Sequence, residues 1–257
     1  MNNVKIVLMV IFILILIYVI LFIFSNNSNV DVDTSHNIRS KLIYSYGLFS
    51  NDEMSEYMKE TIRTNSETTK LEHEVIGPTE LAKDMIEAKK DIPFILDIYA
   101  AIPRGVSKSD LARMVTLYVR GGHYADLDVR FKTTPSIQQN RVIVYSELLY
   151  VPPFVGLANY AISSSPKHPF ILMVINEISN RVLKMKDKEK WTEQDVLNTT
   201  GPNVLSDVYK AWNKRKEEGY RVSKLSFKTS RSILIHEAAG TWRNDKDSNI
   251  KVSGNFK

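Results

Sequence analysis

An uninterrupted apolar run from Ile6 to Phe24 is the feature that most constrains this chain. At about 19 residues it is long enough to cross a bilayer as a helix, and it lacks the polar face that a helix on a globular core keeps toward water. The run ends in Leu21-Phe22-Ile23-Phe24-Ser25-Asn26-Asn27, with no small-residue cleavage pattern, so a retained anchor is expected instead of a removed signal. Lys5 precedes it, and Asp31 and Asp33 follow. Positive-inside bias then predicts a single-pass type II protein with a cytoplasmic N-terminus. In a eukaryotic cell the remainder faces the ER or Golgi lumen, where the sequons at Asn26 and Asn198 become usable, although such triplets arise by chance in an Asn-rich chain. The expected organisation is a cytoplasmic tip and anchor over residues 1–25, a polar stem over 26–38 and one globular domain over 39–257.

Composition narrows the chemistry. A hydrophobic fraction of 44% with 25% charged residues belongs to a folded protein. The chain has no cysteine, which excludes disulfides, a thiol nucleophile and thiolate metal sites. The net charge of +5 is spread along the chain and forms no concentrated footprint for nucleic acid, so none is expected as a partner. The sequence also lacks a Gly-x-Ser-x-Gly elbow, a phosphate-binding Gly-Lys-Thr loop and a His-Glu-x-x-His helix.

From Lys41 onward strand and helix signals alternate. Lys41 to Gly47 is short and rich in β-formers, a helix is expected from about Glu53 to Thr64, Leu71 to Ile76 reads as a second strand, and Pro78 opens another helix. Alternation of this kind predicts an α/β domain with a mainly parallel central sheet.

The chemistry sits between Ser107 and Asp128. Ser107 with Asp110 three residues on is a capping-box pattern, which predicts a helix start there. Leu111, Val115 and Tyr118 then share a face, and Gly121-Gly122 ends the helix because glycine adopts a left-handed conformation without a Cβ penalty. An extended segment follows, ending in Asp126 and Asp128. Residues i and i+2 of a strand point the same way, so the two carboxylates are expected to share one hard cation, completed by water and phosphate oxygens. Asp110 and Arg113, at i and i+3, fall on one helix face; a guanidinium suits a diphosphate and a carboxylate suits sugar hydroxyls. Asp31-Val32-Asp33 and Asp245-Lys246-Asp247 have the same spacing but no such scaffold, so context carries the reading.

The string Asp110-x-x-Arg113, Leu117-Tyr118, Gly121-Gly122, Tyr124-x-Asp126-x-Asp128 resembles glycosyltransferase family 32, which includes fungal initiation mannosyltransferases and inositol phosphoceramide mannosyltransferases. Three further segments resemble the family in order: Lys167-His168-Pro169-Phe170, Thr200-Gly201-Pro202, and His236 through Gly240-Thr241-Trp242. Where the family commonly opens on a strand carrying His and Trp, this chain has Lys41-Leu42-Ile43-Tyr44-Ser45-Tyr46-Gly47, which leaves the contacts to the base open.

The resemblance implies a GT-A type nucleotide-sugar-binding fold and a retaining transfer of a hexose, mannose favoured, from GDP-mannose or a UDP-hexose to a glycan or glycolipid. It assigns Asp126 and Asp128, with His236 as a further ligand, to Mn2+ or Mg2+. Asp110 and Arg113 fall to the donor, and Tyr124 and Trp242 stand beside it. Each has a plainer reading: exposed acids, a helix salt bridge, a helix cap, core aromatics, a structural histidine. His168-Pro169 reads as a turn before a helix, and Glu147, Glu177 and Asp207 remain as carboxylates for a double displacement. The rival from another class is a catalytically silent, membrane-anchored binding protein that keeps the same fold.

Overall fold

The computed structural model describes residues 41–45, 54–148, 155–186, 190–215 and 217–237. The expected anchor, the stem and Trp242 lie outside the described residues. Among the described residues no helix is long and apolar enough to cross a membrane.

The first strand, β1 (Leu42–Ser45), pairs in parallel with β2 (His73–Ile76), Leu42 opposite His73. Between them runs α1 (Glu56–Thr69), which starts later than expected because Ser55 caps it by accepting from the Met58 N–H. It continues to Lys70, whose φ of 58° ends the helix. Pro78 opens α2 (Pro78–Ala88) as expected, and α3 (Ile95–Ala101) follows.

The next helix, α4 (Gly105–Arg120), does not begin with a capping box. Arg104 is its N-cap, and Ser107 lies inside the first turn, its hydroxyl buried without a hydrogen-bond partner. Pro103 explains the shift: it holds Ile102 extended (ψ 121°), ending α3, and the chain turns into α4 two residues later. The helix stops at Gly121, with φ 67° and ψ −163°, a region open to glycine and not the left-handed helical one expected. Gly122 has φ 98°, and a Cβ there would lie 2.9 Å from the Lys41 carbonyl oxygen. The two glycines thus let β3 (Gly122–Ala125) leave the helix and lie directly against β1.

The chain continues through β4 (Val129–Phe131), β5 (Arg141–Leu148) and β6 (Val155–Ser164) to α5 (Pro169–Lys184). There follow α6 (Glu193–Thr199), α7 (Pro202–Trp212), β7 (Arg221–Lys224), α8 (Phe227–Ile233) and β8 (Leu234–His236). The six-stranded sheet has the order β2-β1-β3-β6-β5-β7, and β4 and β8 form a separate antiparallel ribbon. The sheet is mixed. Pairs β1–β2, β1–β3 and β5–β7 are parallel; β3–β6 and β5–β6 are antiparallel. The antiparallel pair β5–β6 follows from a connection too short for a crossover helix.

Alternate strand residues feed two cores. Ile43, Val142 and Val144 join the larger cluster beneath α2 to α7, while Leu42, Tyr44 and Tyr145 pack on the opposite side with Ile62 of α1, Val129 and Phe131 of β4 and Leu234 of β8. The chain leaves β1 to one side for β2 and returns on the other side for β3. That reversal is a topological switch point, and ligands of open α/β sheets bind outside the carboxyl ends of strands at such a place.

Candidate active site

Asp126 directly follows the carboxyl end of β3, at the switch point, and its N–H donates to the Tyr160 carbonyl of β6 (2.8 Å). The backbone then turns, closed by Val129 N–H donating to the Asp126 carbonyl (3.0 Å). Asp126 and Asp128 therefore stand on a tight turn between β3 and β4, which corrects the expectation of one extended strand end. A turn suits the sequence because β4 must swing away to pair with β8. Both carboxylates are half-buried.

Asp110 and Arg113 share a face of α4, as their spacing predicts, and both are buried. Arg113 Nη2 lies 3.2 Å from Asp110 Oδ1 and 3.3 Å from Asp126 Oδ1. Its Nη1 donates to the Asn159 carbonyl, and its guanidinium lies 5.1 Å from the Tyr124 ring centre. Its Nε is buried with no hydrogen-bond partner. An unmade bond of this kind is costly in a buried place, a cost the two flanking carboxylates offset.

Asp110 is enclosed by protein groups. Asn159 Nδ2 donates to its Oδ1 and the Thr200 hydroxyl to its Oδ2, each at 2.9 Å. Burial pushes the Asp110 carboxyl up to about 6, against the pull of Arg113 and Thr200. Burial also raises Asp126, opposed by Arg113. Tyr124 is in the core, 3% exposed, and reaches the site through its hydroxyl, which donates to Asp126 Oδ1 (2.9 Å).

The ribbon delivers His236. Pairing of Val129 with His236, and of the Glu237 N–H with the Asp128 carbonyl (2.9 Å), sets its imidazole beside Asp128. Nε2 is 3.4 Å from Asp128 Oδ2, Nδ1 is 3.4 Å from Glu147 Oε1, and the ring stacks on Tyr160 at 3.8 Å. Burial disfavours the imidazolium, but the two carboxylates outweigh it and lift the group to about 9. Of the three spare carboxylates, Glu147 alone is in this neighbourhood. Glu177 and Asp207 bind Arg181 (2.7 and 3.1 Å) at a separate groove of about 540 Å³ between α5 and α7.

Asn159 and Thr200 were not among the expected site residues. Thr200 was visible only as the start of a Thr-Gly-Pro motif, and Asn159 carried no signal in the sequence. His168 is structural, as read: its Nδ1 accepts from the Phe170 N–H (3.1 Å) and caps α5.

Among the described residues no group of three or more His, Asp and Glu side chains is arranged to hold a metal by itself. A hard divalent cation can be bound through one or two carboxylates, with phosphate and water completing its shell. Asp126 and Asp128, on one turn, are the carboxylates that could hold such a cation. His236 would have to give up its proton to join them, because a metal ligand must be neutral imidazole.

Residues 34–147 match the family described as the glycosyltransferase sugar-binding region containing the DXD motif. Inositol phosphoceramide mannosyltransferase 3 of Schizosaccharomyces pombe is 28% identical over 130 residues, which are 48% of this chain and 33% of that protein. Mannosyl phosphorylinositol ceramide synthase CSH1 of Saccharomyces cerevisiae is 28% identical over 142 residues, 51% of this chain and 34% of that protein. The matched region thus spans about a third of the length of these curated relatives. The structure of the PaToxG glycosyltransferase aligns over 76% of each chain with 16% identity and a TM-score of 0.49. Asp110, Arg113, Asp126 and Asp128 all lie within the segment that is similar to the DXD-containing sugar-binding region of glycosyltransferases, in line with the resemblance to family 32.

Proposed function

We propose that this protein is a metal-dependent, retaining glycosyltransferase of GT-A type, which moves a hexose from a nucleotide sugar to a glycan or glycolipid hydroxyl. The observation that carries this reading is the linked cluster Asp110–Arg113–Asp126 at the switch point, with Asp128 on the same turn. Mannose is the favoured sugar because the curated relatives are named mannosyltransferases or synthases of mannosylated ceramides. Asp126 and Asp128 would hold the divalent cation, which when bound would supply charge neutralisation for the nucleoside diphosphate.

The chain's own groups do the positioning. Arg113 is held between two carboxylates, which fixes its charge at the switch point. Asp110 is fixed as an acceptor for sugar hydroxyls. Tyr124 holds Asp126 from below. Retention needs no protein nucleophile if the acceptor attacks from the face the diphosphate leaves. The resemblance to family 32 and the apolar run at Ile6–Phe24 together support a type II, lumen-facing enzyme.

The test is a panel of GDP-mannose, UDP-glucose and UDP-galactose given to the full-length chain in detergent, with Mn2+ or with chelator. Expected is metal-dependent release of one nucleoside diphosphate, and an α-linked product from an α-linked donor. Binding of nucleotide and metal without turnover on any acceptor supports the silent binding protein instead.

A further inference from the structure

Asp110 is nearly sealed from solvent at 3% exposure, yet it is the carboxylate this reading assigns to the sugar. Its orientation is therefore set by protein. Oδ1 is shared by Asn159 Nδ2 and Arg113 Nη2, while Oδ2 receives the Thr200 hydroxyl at 2.9 Å. Thr200 comes from the joint between α6 and α7, 90 residues along the chain, and is itself 1% exposed.

That joint is stiff. The Thr200 and Gly201 N–H groups both donate to the Val196 carbonyl, at 3.1 and 2.9 Å. A Cβ at Gly201 would lie 3.0 Å from Leu197 Cα and 3.1 Å from Val196 O, so a larger residue would lever the joint open. Pro202 then fixes the first turn of α7. The hydroxyl has one proton and two acceptors in reach. Asp110 at 2.9 Å is closer than the Val196 carbonyl at 3.4 Å, so the proton goes to the carboxylate.

We infer that Thr200 is a positioning residue for sugar recognition: its hydroxyl fixes the second oxygen of Asp110 and thereby the Asp110–Arg113–Asp126 chain that receives the donor's hexose. This rests on the glycosyltransferase reading of the site. Loss of the hydroxyl leaves a buried carboxylate oxygen unmatched, and the carboxylate rotates toward Asn159 and Arg113. The Thr200 hydroxyl reaches Asp110 and the Val196 carbonyl, two links away from Asp126, so the nucleoside diphosphate half of the site is expected to keep its affinity.

The test compares full-length wild type, Thr200→Val and Thr200→Ser. It reads kcat and KM for the nucleotide sugar that wild type turns over, Ki for the matching free nucleoside diphosphate with Mn2+, and Tm. Thr200→Val is expected to lose at least about tenfold in kcat/KM with Ki unchanged within about twofold, and Thr200→Ser to recover most of the loss. Should Thr200→Val not fold, Thr200→Ala carries the same comparison. Wild-type kcat/KM in the Val or Ala variant overturns the assignment, and so does a parallel rise of KM and Ki, which marks a merely structural role. Failure of the unsubstituted chain to turn over any donor overturns the glycosyltransferase reading and this inference with it, so the two failures are told apart by the wild-type control.

Discussion

Arg113 is the residue on which the site turns, since it is buried and faces Asp110, Asp126 and the Asn159 carbonyl at once. A lysine keeps the charge but not the fork that spans these partners. Arg113→Lys is therefore expected to fold and to lose at least about tenfold in kcat/KM. Arg113→Ala leaves two acids without their cation and should lower stability by about 3 kcal/mol in urea melts. Asp110 carries the opposite liability. Its folded carboxyl is raised to about 6 by burial, above its value in the unfolded chain, so the ionised form penalises folding at neutral pH. Asp110→Asn is then expected to match or exceed wild-type stability at pH 7.5. The gain is of order 1 kcal/mol, shrinks as pH falls from about 6 toward 4, and accompanies a loss of turnover. Urea midpoints at pH 7.5, 6 and 4.5 check the trend; a variant less stable at pH 7.5 than at pH 4.5, relative to wild type, contradicts it. The four residues of this cluster were legible because they lie within 19 positions of each other, on one helix and the turn after the next strand. Thr200 and Asn159 were not, because only tertiary packing brings them to Asp110.

At the scale of elements, the glycine pair explains why α4 and β3 sit so close. A Cβ on Gly121 would lie 2.6 Å from Pro166 Cδ and 2.7 Å from Pro166 N, at a φ of 67°. Gly121→Ala should cost at least about 2 kcal/mol and displace the turn bearing Asp126, with activity falling alongside Tm. The end of α1 offers the converse case. Lys70 holds a φ of 58° on an exposed C-cap, so Lys70→Gly is expected to raise stability by about 0.5 kcal/mol without touching activity. The Gly121-Gly122 helix stop was readable from sequence, whereas its contact with Pro166 and the Lys70 cap were not. The start of α4 was not read correctly, because Pro103 outweighs the Ser107 pattern. The pairing of β8 with β4, which carries His236 to Asp128, joins segments more than 100 residues apart and left no local signature.

For the whole molecule, the α/β class and a mainly parallel sheet followed from alternating strand and helix signals, while the two antiparallel pairings β3–β6 and β5–β6 did not, because they depend on which strands become neighbours. The apolar run from Ile6 to Phe24 makes a separate expectation at this scale: full-length protein stays with membranes after an alkaline wash, and protease added from the cytoplasmic side spares residues 39–257. Release by the wash contradicts the anchor. The central claim is that Asp128 and its neighbours form a metal-assisted donor site, and the most direct test is Asp128→Asn beside wild type. With nucleotide sugar and Mn2+ in excess, the variant should keep the wild-type Tm within about 2 °C and lose at least about 100-fold in nucleoside diphosphate release. Full turnover by a folded Asp128→Asn protein would contradict the account.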